Sequence, residues 1–274
     1  MQASACKITD DTASVEVRHS WLYSRLTPLI TAIAIALSVA ISFYQLVAPG
    51  AVGSGATATE FSSARAMERL RVIAQKPHPV GSAEHAKALD YITTELATMG
   101  FKPEIQETTS VSRRRRFPVV AATVRNVIVR WPGTDNTKSV LLAAHYDSVS
   151  TGPGASDNGA AVVTLLETLR ALKAGPRLRN DMIFLFTDAE EIGLLGAQAF
   201  VDESALSKDL GVALNFEARG TGGPSIMFET SGQNEWVIKE FNSCNNAFLK
   251  TRIFVYMNVT DEWVQFRKNL NSKS

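Results

Sequence analysis

Cysteine is scarce in this sequence. The 274 residues contain two cysteines, Cys6 and Cys244, and no CxxC pair. A disulfide framework needs several cysteines in a small domain, and a thiolate zinc site needs closely spaced pairs. Neither is supported here, so we expect the fold to depend on an ordinary apolar core.

The sequence also lacks a charge bias of either sign. Lys and Arg number 28 against 27 Asp and Glu, which gives a formal net charge of +1. Nucleic-acid-binding domains carry a clear positive excess, so nucleic acid is not expected as a partner. The run Arg113–Arg116 is the local exception. It is interpreted as a solvated loop, because a lone basic run is weak evidence of binding.

Charge is absent altogether from residues 26–59. Within this stretch Leu29–Ala48 is apolar over about 20 residues, the length of a helix that crosses the ~30 Å hydrocarbon layer. Arg18 and Arg25 precede it, and Glu60 is the first charge after it. The positive-inside rule therefore predicts a single-pass helix with a cytoplasmic N-terminus and an extracytoplasmic domain. A cleaved signal peptide and a buried core helix are the alternatives.

Four apolar runs in the middle of the chain are typical of strands. They are Asn126–Trp131, Ser139–Ala144, Met182–Thr187 and Val212–Phe216. Helical periodicity runs from Gly159 to Lys173 and from Ile192 to about Asp202. Near-continuous apolar strands that alternate with helices predict an α/β fold. We expect a doubly wound, mostly parallel sheet with helices on both faces.

Two helices are predicted before the sheet, one around Ser63–Gln75 and one capped by Ser82 that stops at Gly100. His78 and His85 lie at the approach and the first turn of the second helix. Histidines at a helix end usually face solvent, so we expect that position for both rather than a role as ligands.

Polar residues follow each of the last three strands. They are His145 and Asp147, then Asp188, Glu190 and Glu191, then Glu217, with Asp157 in a Gly-rich loop before a helix. Because the carboxyl ends of parallel strands meet at one edge of a sheet, these side chains are expected to converge. Crowded carboxylates repel one another unless a positive charge neutralises them. One histidine among several acids suits Zn²⁺ or a similar divalent ion.

Each of these residues alone has an ordinary explanation. Asp157 could be a helix N-cap, and Glu190 with Glu191 could be an exposed helix start. His145 could be a buried core histidine. Three strand-end sets in register nevertheless favour a metal site.

The segments that carry these residues resemble peptidase family M28, most of all its membrane-anchored branch. They read AAHYDSVSTGPGASDNGA, FLFTDAEEIGLLGAQAF and LNFEARG, and the earlier IAQKPHPVGSAEHAKALDYI is similar to the same branch. The resemblance covers about residues 64–230. It implies a zinc-dependent peptidase that acts on peptide substrates, with an aminopeptidase as the favoured type.

The resemblance also implies a role for each residue of the cluster. The metal ligands would be His145 and Glu217 for one zinc ion, Glu191 for a second, and Asp157 as the bridge between them. Asp147 would orient the imidazole of His145, and Glu190 would be the general base that takes a proton from the attacking water.

One ligand of the family pattern has no counterpart here. The family places a downstream histidine on the second metal, but no histidine follows His145. Residues 256–261 faintly resemble the family's Asn-Asp-Thr-Asp stretch that precedes it. We hypothesise a reading frame truncated or disrupted near residue 243 or beyond. An inactive remnant or binding module of the same fold is one alternative, and a metal-dependent amidase or cyclotransferase on a small substrate is another.

Five segments are therefore predicted along the chain. They are a cytoplasmic tail at 1–27, a transmembrane helix at 28–48, a flexible linker at 49–60, an incomplete M28-like peptidase domain at 61–250 and a degenerate tail at 251–274.

Overall fold

The chain consists of two compact units, Met1–Val47 and Ala48–Ser274, and each is described by itself. The structure is a computed structural model. It describes residues 11–46, 50–112, 119–218, 227–230, 232, 235–240 and 256–258. Both cysteines, the run Arg113–Arg116 and the proposed frame disruption near residue 243 lie outside these residues.

The first unit contains one long helix, α1, which spans Asp11–Leu46. Its segment Leu26–Tyr44 has 19 residues, a mean hydropathy of 2.2 and no buried part. By length and composition this segment could cross a membrane, and a signal sequence would meet the same criteria. The transmembrane anchor and its orientation therefore remain predictions.

The described part of the second unit contains four complete α-helices, a helical segment at 235–240 and seven strands. The helices are α2 (Ser63–Ile73), α3 (Ala83–Thr98), α4 (Ala160–Ala174) and α5 (Leu195–Glu203). The strands are β1 (Glu104–Val111), β2 (Ala121–Trp131), β3 (Ser139–His145), β4 (Met182–Thr187), β5 (Leu210–Glu217), β6 (Met227–Glu229) and β7 (Tyr256–Asn258). They form one sheet in the order β1-β2-β4-β3-β5-β7-β6.

The centre of the sheet is the parallel unit that the sequence predicts. Strand β3 pairs in parallel with β4 on one side and with β5 on the other. Strand β2 runs antiparallel to β4, and β1 runs antiparallel to β2. Strand β7 lies within the segment predicted as a degenerate tail, yet it pairs with the end of β5.

Helices cover both faces of the sheet, as predicted. On β3, Leu142 and Ala144 belong to the large core cluster that also contains buried apolar residues of α2, α3 and α4. Leu141 and Ala143 point the other way and pack with Phe200 of α5. Alternate side chains of a strand lie on opposite faces, so a continuous apolar run is what a strand buried on both faces requires.

The segment predicted as a flexible linker is hydrogen-bonded to the second unit. Arg65 donates from Nη1 to the carbonyl oxygen of Ser54 at 2.6 Å. The carbonyl oxygen of Glu60 accepts bonds from Arg65 and Arg170, at 2.9 and 2.7 Å. These bonds join Ser54 and Glu60 to helices α2 and α4.

Those arginines are themselves held by a buried carboxylate on α4. Glu167 has a fully buried side chain, and its oxygens lie 3.0 Å from Arg65 Nε, 2.9 Å from Arg69 Nη1 and 2.8 Å from Arg170 Nε. The backbone N–H of Ser62 donates to it as well, at 3.0 Å. Burial opposes the charge of Glu167, but Arg170, Ser62 and Arg65 outweigh that effect and lower its pKa.

We predict that Glu167→Gln destabilises the second unit by about 3 kcal/mol near neutral pH, because three arginines lose their common carboxylate. A carboxyl whose pKa is lowered by folding contributes stability above its unfolded pKa, and that contribution is lost as the pH falls through the folded value. Urea unfolding of the full chain in detergent should be followed by circular dichroism between about pH 3 and pH 7. The free energy of unfolding of the variant should fall less steeply than that of the parent chain as the pH is lowered.

Glu68→Gln is the matched control, because Glu68 is exposed on the neighbouring helix α2. This control should unfold like the parent chain. Equal stability of the Glu167 and Glu68 variants would show that the buried carboxylate does not hold α2 and α4 together.

Candidate metal centre

The imidazole of His145 lies at the centre of the predicted cluster. His145 is the last residue of β3, and its side chain is 1% exposed. Its Nε2 lies 3.1 Å from Asp157 Oδ1, 3.6 Å from Glu217 Oε1 and 3.9 Å from Glu190 Oε2. Side chains from the ends of two strands and from two loops therefore meet around one nitrogen.

A subset of these side chains has the spacing of metal ligands. One ligand atom each from His145, Asp157 and Glu191 lies within 4.8 Å of the other two. One imidazole nitrogen with carboxylate oxygens is a donor set that fits Zn²⁺. Within the part of the chain that the structure describes, His145 is the one imidazole of this group.

The loop that carries Asp157 is shaped by a glycine that precedes it. Gly154 has φ +66°, and a Cβ there would lie 2.9 Å from Ser148 Cβ and 3.2 Å from His78 Cε1. Asn158 then donates from Nδ2 to the carbonyl oxygen of Phe216 at 2.8 Å. Because Phe216 precedes Glu217, this bond ties the loop of Asp157 to the end of β5.

Asp147 connects His145 with the turn after β4. Its carboxylate is fully buried and accepts the backbone N–H groups of Glu190 and Glu191, at 3.0 and 3.2 Å. Its Oδ1 also lies 3.4 Å from His145 Nδ1, and its carbonyl oxygen lies 3.1 Å from the same nitrogen. Burial alone would raise the pKa of Asp147, but His145 and the two N–H groups lower it.

The turn that presents Glu190 and Glu191 has unusual backbone geometry. Ala189 and Leu194 have φ of 56° and 61°, in the left-handed region that costs a non-glycine residue about 1–3 kcal/mol. The carbonyl oxygen of Glu190 accepts bonds from Gly193 and Leu194, each at 2.9 Å. This turn delays the start of α5 to Leu195, three residues after the predicted start at Ile192.

Burial and crowded charge shift the pKa values of the cluster. Burial opposes the charged form of His145, but contacts with Asp147, Asp157 and Glu217 outweigh it and raise its pKa well above the usual value. Burial raises the pKa of Glu190 to about 7, and the neighbouring carboxylates add to that rise against the opposing charge of His145. The pKa of Glu191 is raised as well, by burial and by Asp157.

Asp188 is the strand-end acid that does not join the cluster. Its carboxylate is fully buried and faces away, toward His85 Nε2 at 2.8 Å and the backbone N–H of Arg125 at 2.8 Å. The expectation that His78 and His85 face solvent is wrong, because both are buried, at 2% and 4% exposure. The pairing of His85 with Asp188 could not be predicted from the sequence, because the two residues lie 103 positions apart.

This chain matches only part of the length of its curated relatives. A vacuolar membrane protease of Candida dubliniensis is 33% identical over 191 residues, which is 68% of this chain and 20% of that protein. The chain thus spans about a fifth of the length of this relative.

Solved structures share the fold of the second unit. A zinc aminopeptidase from Bacillus subtilis matches with a TM-score of 0.60 at 16% identity, over 77% of this chain and 83% of that chain. A glutaminyl cyclase from an Acidobacteriales bacterium matches with a TM-score of 0.59 at 20% identity, over 80% of each chain.

The family comparison covers the strands that bear the cluster. Residues 126–265 match Peptidase family M28, a span of about half the chain that includes His145, Asp157, Glu190, Glu191 and Glu217. The order of these residues along the chain, their convergence at one edge of the sheet and this match agree. The chain belongs to peptidase family M28.

Proposed function

We propose that the chain is a zinc-dependent peptidase in which His145, Asp157, Glu191 and Glu217 hold the metal. The observation that carries the proposal is the spacing of His145, Asp157 and Glu191, whose ligand atoms lie within 4.8 Å of one another. When bound, zinc acts as a Lewis acid toward a peptide carbonyl and makes a water molecule more acidic.

The ligands divide between two ions in this proposal. His145 and Glu217 would hold one ion, Glu191 would hold the other, and Asp157 would be a ligand of both. The position of Asp157 supports this division, because its carboxylate lies 3.1 Å from His145 Nε2 and also belongs to the group of ligand atoms that includes Glu191. The second ion has no histidine from the described residues.

Asp147 is the residue that orients His145. It faces Nδ1 of the imidazole, where it would hold the proton when Nε2 binds zinc. The same carboxylate holds the backbone of Glu190 and Glu191. One buried side chain thus fixes a metal ligand and the base relative to each other.

Glu190 is the general base of the proposal. Its side chain is 31% exposed, so it is open to water, while burial raises its pKa to about 7. A base with a pKa near the working pH is both available and strong enough to take a proton from water. The water oxygen then bonds to the carbonyl carbon, the C–N bond breaks, and the proton passes from Glu190 to the amine that leaves.

Removal of N-terminal residues is the proposed reaction, and the proposed location is the extracytoplasmic side of a membrane. The fold of a zinc aminopeptidase and the name of the vacuolar membrane relative support these two points. The apolar segment Leu26–Tyr44, with Arg18 and Arg25 before it, supports an anchor with a cytoplasmic N-terminus.

We predict that Glu190→Gln retains zinc and lowers kcat by about 10²–10⁴-fold, because it removes the base without removing a ligand. Zinc content and peptide hydrolysis should be measured on the same preparation of the full chain in detergent. Glu107→Gln is the matched control, since this side chain is 62% exposed on β1, and it should keep full activity. Unchanged kcat in the Glu190 variant would assign the base elsewhere.

We predict that His145→Ala loses the bound zinc, because the cluster loses its one described nitrogen ligand. Zinc per chain should be measured by mass spectrometry on the purified full chain, after removal with a chelator and after restoration. Two zinc ions in the parent chain would support the divided ligand set, and one ion would replace it with a single site. An unchanged zinc content in the variant would place the metal outside this cluster.

We predict that peptides with a free N-terminal amine are cleaved and that N-acetylated copies are not. The assay should include a peptide with an N-terminal glutamine, since a glutaminyl cyclase shares the fold. Release of an amino acid supports the aminopeptidase, whereas release of ammonia with a blocked N-terminus would make the chain a cyclotransferase.

A further inference from the structure

His85 occupies an unusual place in the first turn of α3. Its backbone N–H donates to the capping oxygen of Ser82 at 3.1 Å, which fixes the start of the helix. Its ring extends into the domain, where the side chain is 5% exposed and Nε2 lies 2.8 Å from Asp188 Oδ1. The family roles described above make no use of this histidine.

The partner of His85 holds the turn that bears the proposed base. The second carboxylate oxygen of Asp188 accepts the N–H of Arg125 at 2.8 Å, and the N–H of Asp188 donates to Asn126 Oδ1 at 3.0 Å. Its carbonyl oxygen accepts the N–H of Gly196 at 2.9 Å. Every polar group of Asp188 is therefore engaged directly before the left-handed Ala189.

The ring of His85 also contacts the strand end that bears the first metal ligand. It stacks on Tyr146 with the ring centroids 5.0 Å apart and an angle of 8° between the planes. Tyr146 lies between His145 and Asp147, is 1% exposed, and donates from its hydroxyl to the carbonyl oxygen of Arg125 at 2.9 Å. One imidazole thus contacts the segment between His145 and Asp147 and the residue that precedes the Glu190–Glu191 turn.

We infer that His85 is a positioning residue, which sets the Glu190–Glu191 turn through its hydrogen bond to Asp188, while its ring packs on Tyr146 beside the His145–Asp147 segment. The inference rests on the proposed function, because it assigns His85 to the same centre. The strained Ala189 explains why such support is needed, since a left-handed alanine persists only where its surroundings determine it. Residues behind metal ligands typically change metal affinity or activity about 10–100-fold when they are replaced.

Two substitutions separate the hydrogen bond of His85 from its ring. His85→Phe keeps a ring for Tyr146 but removes the donor to Asp188. His85→Gln supplies an amide N–H at about the reach of Nε2, so it keeps the bond to Asp188 and loses the stacked ring. Both variants should be prepared as the full chain in detergent, loaded with zinc or with Co²⁺.

We expect His85→Phe to lower kcat by about 10–100-fold with little change in KM, because the base is misplaced while substrate binding is retained. The visible Co²⁺ absorption should also change, since Glu191 shares the displaced turn. His85→Gln should restore most of kcat and the parent Co²⁺ spectrum.

Leu96→Ala is the control for a merely structural effect. Leu96 lies on the same helix, about three turns after His85, and is fully buried in the large core cluster. Its truncation should lower the melting temperature but leave kcat of the folded chain and the Co²⁺ spectrum unchanged.

The outcomes distinguish this inference from the function on which it rests. A parent chain that binds no zinc and cleaves no peptide would refute the proposed function. An active parent chain with the same kcat and Co²⁺ spectrum in His85→Phe would refute the role of His85 alone. The role is also refuted if Leu96→Ala alters kcat and the spectrum as much as His85→Phe does.

Discussion

Repulsion between carboxylates is the constraint on which the metal centre depends. Asp147 and Glu217 lie at the same edge of the sheet as Glu190 and Glu191, and their charges raise the pKa of both glutamates. The chain offsets this cost for Asp147 with two backbone N–H groups and the imidazole of His145. Glu190 and Glu191 keep raised pKa values, and a bound divalent ion would supply the positive charge that offsets their repulsion.

The central strands of the sheet could be predicted because a continuous apolar run is visible in the local sequence. Strand β4 was predicted at its observed bounds, since Met182–Thr187 is continuously apolar and every residue of it is buried. Strand β1 gave no such signal, because edge residues such as Glu104 are exposed and its polar sequence resembles a loop. The direction of β2 depends on its pairing with β4, which no local pattern encodes.

The candidate site also has some features that could be predicted from the sequence and others that could not. The acids after β4 and β5 could be placed at one edge from the strand order alone. The opposite orientation of Asp188 could not, because it depends on His85 and Arg125, which come from α3 and β2. Glu167 shows a related limit, since an acid within an apolar helix gives no sign of the three arginines that surround it.

The contacts of Asp188 have a consequence for the order in which the chain becomes functional. The proposed ligands lie between residues 145 and 217, but the groups that hold their turns lie earlier, on α3 and β2. Contacts between such distant segments form late in folding, because a long loop must close first. A partly folded chain in which these contacts have not formed would carry the proposed ligand residues without their geometry, so the ability to bind zinc would arise together with the completed fold.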